Sequence, residues 1–360
     1  MAQGTDSIVW IDEVDPATAV AVAGSKMGRL TELHRSGVQV PQGFAVTVEA
    51  YGRHCAESGL DARIEGVLAG LGDSPSEQEV VEASTAIRDL FAATAMSKAL
   101  SEEIVASYEE LANRCVEVNP PTAVRSSATG EDAADASFAG IFDTYLGISG
   151  PQRVLDAVRA CWGSLFTARA LSYRLRKGIS HHDMPIAIGV IELIHARASG
   201  VAFSVHPVTG KPDRIVIETS WGWGEAIVQG LVDPDHIEVG KADGRILKYD
   251  VAHKKMVSAF DFAQGRVTEI AMPERLADRK VLDDEQVAAI AEAVKAIEEH
   301  YGYPVDVEWV ISRHRRAGDP ICIVQSRPVT VTAHDTTPAA YDPVALAQKY
   351  VFSGKPIPGR

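Results

Sequence analysis

The stretch that starts at Arg125, "RSSATG", puts one arginine at the head of small and hydroxyl-bearing residues, directly after the apolar "TAV". Phosphate binding needs backbone N–H groups that can be approached closely, with Arg or Lys to offset the charge. Arg125, Ser126, Ser127, Ala128, Thr129 and Gly130 are the candidates for it. A Ser/Thr-rich surface turn has the same composition, so both readings stand on this segment alone. Lys26 lies between glycines in "GSKMGRL", at the mouth of a helix, where it can meet an anion or stay solvated.

A second set lies near the end of the chain. Strand alternation puts Asp306, Glu308 and Val310 on one face of "VDVEWVI", and Ile323, Gln325 and Arg327 on one face of "ICIVQSR". A carboxylate, an amide oxygen and an arginine on adjacent strands can hold Mg²⁺ and a phosphate together. An exposed polar face with an Arg–Glu pair reads equally well and contributes little. "SWGWGEAIVQG" follows a strand; Gly222 and Gly224 admit a ligand or simply turn the chain, with Trp223 the tryptophan placed to reach a site. His181–His182 lacks partners at metal-ligand spacing and reads as an exposed loop. No G-x-x-x-x-G-K-[ST] loop and no kinase H-R-D signature is present.

The elements that must position these residues are mixed. "SKMGRLTELHRSG" is helical, with Met27, Leu30 and Leu33 on one side and a stop at Gly37. A turn at Pro41–Gly43 leads into a strand, and the pattern from about Gly59 to Cys115 is helical, with a break near "GDSPSEQE". "IAIGVIELI", "GVAFSV" and "RIVIETS" read as strands of a sheet. "HIEVG" and "RILKYDVAHKKMVSAF" read as a meander. Asp283 or Asp284 caps a helix with Val287, Ile290, Ala291, Val294 and Ile297 on one face and Gly302 at its end. "VDVEWVISR" and "ICIVQSRPVTV" form a hairpin around "HRRAGDP".

With 360 residues, two lobes or domains are expected; 46% hydrophobic and 23% charged residues fit a packed globular chain. A net charge of −14 argues against general affinity for nucleic acid or anionic membrane, though not against a local phosphate pocket. The start of the chain lacks the basic and apolar regions of a secretory signal, and no apolar run is long enough to span a bilayer. Four scattered cysteines, Cys55, Cys115, Cys161 and Cys322, form no C-x-x-C pair. A cytoplasmic protein with reduced thiols is the expectation.

Taken in order, "GSKMGRLTELHRSGVQVPQGFAVT", "VRSSATGEDAADASFAG", "ASGVAFSVHPVTG", "WGWGEAIVQGLVDPD" and "DVEWVI…ICIVQSRPVTV" resemble the ATP-binding portion of phosphoenolpyruvate synthase, pyruvate phosphate dikinase and rifampicin phosphotransferase. The resemblance covers roughly residues 15–332. It implies an α/β, ATP-grasp-like fold whose two lobes clasp ATP. The lobes would be residues 1–190 and 191–332, with a tail over 333–360 as a docking segment. It implies that Lys26 and Arg125 contact phosphate and that the Ser126–Gly130 loop covers the triphosphate. Glu192 falls at the hinge that meets adenine, Glu308 and Gln325 resemble the Mg²⁺ ligands, and Arg327 a phosphate clamp. This chain departs from the family pattern in Gly24-Ser25-Lys26-Met27, in Ile141-Phe142 and in a longer hairpin.

The family passes phosphate through a histidine in a Gly-Gly-x-Thr-x-His context, and none of the eleven histidines has that context. The resemblance therefore implies a fragment or the nucleotide subunit of a split enzyme. The split form is similar in layout to phenylphosphate synthase and the cresol-phosphorylating systems, in which a partner subunit carries the histidine. The expected activity is conversion of Mg-ATP to AMP and Pi, with the β-phosphoryl passing to a partner histidine and then to an alcohol or phenol. The alternatives are part of a phosphoenolpyruvate synthase or rifampicin phosphotransferase-like enzyme, or an ATP sensor without chemistry.

Overall fold

The structure, a computed structural model, describes residues 7–329 apart from 73, 130–131, 134–135, 138–141, 224–232, 262–263 and 265. The readings of Gly130, Ile141, Gly224 and the 333–360 tail lie outside the described residues. The chain divides into two compact units. One gathers residues up to Thr31 together with Gln42–Leu193, and the other gathers Glu32–Pro41 with residues from Ile194 onward. Helix α1 (Pro16–Arg35) is interrupted at Gly24, whose φ of 74° and ψ of 174° are not helical. It starts nine residues' worth of small and apolar side chains ahead of "SKMGRL", a stretch too short of large apolar residues to show an amphipathic stripe.

The first unit is built on a five-stranded antiparallel sheet. Its strands are β1 (Ile8–Trp10), β2 (Gly43–Val46), β3 (Thr122–Ala128), β6 (Thr144–Ile148) and β7 (Ile186–Glu192), in the order β1-β2-β7-β3-β6. The short strands β4 (Asp132–Ala133) and β5 (Ala136–Ser137) pair only with each other. Helices α2 (Val48–Ser58), α3 (Leu60–Leu68), α4 (Glu77–Ala93), α5 (Lys98–Cys115), α6 (Pro151–Gly163) and α7 (Ala168–Lys177) supply the rest of the core. α2 replaces the strand that "TVEAY" continues in sequence, because the Thr47 side chain accepts from the Ala50 N–H and starts a helix there. Ser76 and Glu79 form a capping box at α4, at the break expected near "GDSPSEQE". Phe44, Phe91, Tyr108, Tyr145, Trp162 and Phe166 are buried in one cluster between the sheet and these helices. The interior strand β3 is buried at all seven positions, so it carries no alternating pattern.

The second unit holds a six-stranded antiparallel sheet, in the order β11-β10-β9-β8-β14-β15. The strands are β8 (Ala196–Phe203), β9 (Arg214–Trp221), β10 (Asp235–Gly240), β11 (Ile246–Asp250), β14 (Val305–Ser312) and β15 (Cys322–Pro328). The expected meander is only half formed: β11 closes the sheet edge, but β12 (Met256–Asp261) pairs with β13 (Arg266–Ala271) in a separate hairpin. The break lies at Lys254, which is fully buried and bonded to Asp235 and to the Ala252 carbonyl at 2.9 Å. Satisfying that buried ammonium takes the backbone out of the strand path. A short helix α8 (Glu274–Ala277) precedes α9 (Asp284–Tyr301), which has an Asp283–Gln286 capping box and a left-handed Gly302 at its end. The fold class is the expected mix of helices and sheets, with every strand pairing in the two large sheets antiparallel.

Candidate functional site

In the first unit, three of the expected residues converge on the end of β3. Lys26 Nζ donates to the Ser126 carbonyl at 3.3 Å, and the Met27 N–H donates to Ser127 Oγ at 3.1 Å. A Cβ on Gly24 would lie 1.8 Å from the Ser127 carbonyl oxygen, so only glycine lets α1 come this close to β3. Arg125 is 1% exposed and stands opposite Gly189 on β7. A Cβ at Gly189 would strike Met27 Sδ at 2.4 Å and crowd the Arg125 side chain, so that glycine makes room for both. Lys26 and Arg125 both pull on the buried Cys161 thiol, whose pKa burial nevertheless pushes well up. Arg125 in the middle of β3 and Lys26 at the Ser126 carbonyl put two cations along one strand, which suits a polyphosphate.

The loop expected over Ser126–Gly130 begins later. Ser126, Ser127 and Ala128 are the last residues of β3 and are fully buried, and Thr129 follows in a turn. Alternation puts Ser126 on the face of Val124 and Ala128, which belong to the helix-covered core, and Ser127 on the face of Arg125. Ser126 Oγ is buried without a hydrogen-bond partner. Pairing of these three residues with Ile186–Ile188 of β7, and the close approach of α1 to Ser127, override the turn-like composition. Asp143, which nothing in "IFDTYL" marks, is 2% exposed and accepts from Arg88 at 3.2 Å. Glu192 ends β7 opposite Thr122, three positions from Gly189, and its carboxylate raises the Cys115 thiol, which burial first pushes up, to about 12.

In the second unit, the hairpin of β14 and β15 sets Glu308 opposite Gln325 and Asp306 opposite Arg327. All four are under a tenth exposed. Arg327 Nε donates to Asp306 Oδ2 at 2.8 Å, so the pair is buried Arg–Asp and not an exposed Arg–Glu pair. A bulge after Glu308 brings Ile323 opposite Trp309, which takes Ile323 off the face it was expected to share with Gln325 and Arg327. The extra residue is invisible to a strict period-2 reading. Two oxygen donors, one charged and one amide, with no sulfur or imidazole among them, suit Mg²⁺. The loop of the hairpin is fastened to α9: Arg315 bonds both oxygens of Glu285, at 2.8 and 3.0 Å, and the Gly318 N–H adds a third bond at 3.2 Å.

The same sheet face continues across the strands. Gln325, Glu308, Val201, Glu218 and His236 form one lateral row, and Arg327, Asp306, Phe203, Val216 and Glu238 the next. Val201, Phe203 and Val216 make an apolar strip against which Val329 packs. The strip separates the Glu308 end from a second polar group, in which His236 Nδ1 lies 2.7 Å from Glu218 Oε1. Packing requires glycine at 222: its φ is +72°, and a Cβ there would meet the Ser258 carbonyl at 2.1 Å. Trp223 is 4% exposed, with Nε1 donating to the Ile194 carbonyl at 2.9 Å. His181 and His182 do not stand alone, since Asp61 lies within ligand-sharing distance of both.

A family model described as pyruvate phosphate dikinase, AMP/ATP-binding domain, matches residues 20–348. The chain belongs to that family. It is 40% identical over 317 residues to a probable phosphoenolpyruvate synthase of Methanothermobacter thermautotrophicus, covering 88% of this chain and 45% of that one. It is 37% identical over 347 residues to a phosphoenolpyruvate synthase of Aeropyrum pernix (90% and 42%), and 34% identical over 378 residues to one of Pyrococcus furiosus (95% and 46%). The chain thus spans less than half the length of these relatives. As an AMP/ATP-binding domain of this family it is a nucleotide-binding α/β chain. No helix among the described residues is long and apolar enough to cross a membrane.

Proposed function

We propose that this chain is the nucleotide-handling part of a phosphoenolpyruvate synthase-type phosphotransferase. It binds Mg-ATP; the β-phosphoryl passes to a histidine outside these 360 residues and water takes the γ-phosphoryl, leaving AMP and Pi. The observation that supports this most is the buried quartet Asp306, Glu308, Gln325 and Arg327 within a chain of this family. A sensor needs ATP affinity only, and a carboxylate beside an amide oxygen and an anchored guanidinium is more than affinity requires. The names of the relatives favour a pyruvate-directed enzyme over phosphorylation of phenol or cresol.

Phosphoryl transfer rests mainly on positioning and charge neutralisation. Lys26 and Arg125 would hold phosphate oxygens at the end of β3, and Ser127 keeps the α1 backbone in place beneath them. Glu308 and Gln325 would hold Mg²⁺, which when bound offsets charge on the phosphates. Asp306 fixes the Arg327 guanidinium through Nε, and the guanidinium held in this way would meet phosphate oxygens. Glu192 would meet the adenine end.

The test is to supply the missing acceptor. The chain is incubated with ATP labelled at the β-phosphate, with and without the separately expressed histidine-bearing domain of a phosphoenolpyruvate synthase. AMP, Pi and label on that histidine are expected with both present, and slow turnover with the chain alone. ADP as the product, or binding of ATP with no turnover in either mixture, would replace this reading with an acyl-phosphate ligase or a sensor. Full-rate phosphorylation of phenol by the chain without a second protein would mean a self-contained kinase.

A further inference from the structure

The 3-10 turn His181–Asp183 leads into β7, and it lies against α3 of the same unit. Asp61 and Glu65 sit one helical turn apart on α3 and so project from the same side. The two histidine rings pack at 3.9 Å between centroids. One oxygen of Asp61 and one ring nitrogen from each histidine lie within 4.8 Å of one another. His182 Nε2 is 3.3 Å from Glu65 Oε1, which brings a second carboxylate to the group.

None of the three central side chains is strongly engaged elsewhere. Asp61 makes no side-chain hydrogen bond or ion pair among the described residues. His181 Nε2 is shut off from solvent and has no hydrogen-bond partner. An imidazole nitrogen left this way carries either an unused proton or an unused lone pair, and both are costly when buried. After the neighbouring His182, Arg174 is the cation that acts on His181. Its guanidinium lies over the Phe166 ring at 4.7 Å, and the two carboxylates of α3 outnumber it.

We propose that Asp61, His181 and His182 bind a divalent transition-metal ion of the zinc class, with Glu65 or water as the fourth ligand. Imidazole nitrogen with carboxylate oxygen suits zinc, cobalt or nickel, whereas magnesium prefers an all-oxygen shell. Tetrahedral zinc with bonds of about 2.0–2.1 Å brings its ligand atoms to about 3.4 Å from one another. Small side-chain rotations close the remaining gap, because His182 and Glu65 are exposed and Asp61 is only partly buried. The ion would staple α3 to the turn that feeds β7, the strand that carries Gly189 beneath Arg125. This role is independent of the nucleotide chemistry, since neither Lys26, Arg125 nor the β14–β15 hairpin takes part.

The experiment uses the whole chain, stripped with a chelator and titrated with Co²⁺ and then Zn²⁺. One equivalent of Co²⁺ is expected to give the visible absorption of a tetrahedral site, Zn²⁺ to quench it, and excess Mg²⁺ to leave it unchanged. Zn²⁺ should also raise the thermal unfolding midpoint. Asp61→Asn and His182→Ala should each weaken Co²⁺ binding by at least about tenfold, with circular dichroism confirming that both variants fold. His253→Ala, which removes the exposed His253–Asp278 pair, should leave the site intact. Absence of both the cobalt band and the zinc-dependent shift in the unmodified chain would overturn the proposal. So would a band that survives in Asp61→Asn and His182→Ala, or one that Mg²⁺ abolishes.

Discussion

Arg327 Nε donates to Asp306 Oδ2 at 2.8 Å, one row along the hairpin from Glu308 and Gln325. The carboxylate decides how the guanidinium is held beside the proposed Mg²⁺ ligands. Removing it leaves a buried cation short of its partner. Asp306→Ala should therefore cost about 3–5 kcal/mol of stability, while Asp306→Asn keeps the shape and weakens Mg-ATP binding. In a double-mutant cycle with Arg327→Ala, a coupling of about 0.5–3 kcal/mol is expected by calorimetry. Strict additivity would show that the pair does not act on the nucleotide.

The cations and the metal pair should separate in kinetics. Arg125→Ala should lower Mg-ATP affinity by about 1.5–3 kcal/mol, the worth of a hydrogen bond to a charged group. Glu308→Gln keeps the shape and removes the charge, so it should reduce turnover more than affinity. A Mg²⁺ titration that is the same in Glu308→Gln and the unmodified chain would take Glu308 out of the metal site.

Gly24 joins backbone conformation to ligand placement. Alanine there is strained at φ 74°, by about 1–3 kcal/mol, and its Cβ would press on the Ser127 carbonyl. Gly24→Ala should destabilise the first unit in urea and, by shifting Lys26, weaken ATP binding. Gly37 also has a positive φ, but open space surrounds it. Gly37→Ala should therefore lose stability through strain alone, with ATP affinity retained. Equal affinity loss in both variants would refute the close-approach argument.

The Glu218–His236 pair should make the second unit sensitive to pH. Burial pushes the Glu218 carboxyl up to about 7, against the pull of the His236 imidazole. Burial lowers His236, but the hydrogen bond and charge of Glu218, together with the bond to Glu238, outweigh that and leave it raised. Both groups therefore keep protons in the folded chain at pH values where the unfolded chain has released them. Stability from this pair is complete below the unfolded carboxylate value of about 4.3 and falls as pH rises through neutrality. Amide exchange at Ile217 and Ile237 should show protection declining over that window, after correction for intrinsic rates. Glu218→Gln should flatten the decline; an unchanged slope would assign it to other groups.

The sequence by itself determined the family motifs, the mixed fold class, the α9 helix and the hairpin with its charged residues. Those features depend on local chemistry: a capping Asp283, a terminal Gly302, and alternating strands around a turn. It could not show that Ser126–Ala128 belong to a strand, because their pairing with Ile186–Ile188 of β7 is a non-local effect. The bulge that moves Ile323 depends on pairing geometry, and the Arg327–Asp306 bond on which register the hairpin takes. Asp61 is separated from His181 by most of the first unit's sequence, so no spacing rule could join them. Only the packing of α3 against the turn before β7 brings that carboxylate and those imidazoles within 4.8 Å, because side-chain proximity across a core follows from the backbone path and not from order along the chain.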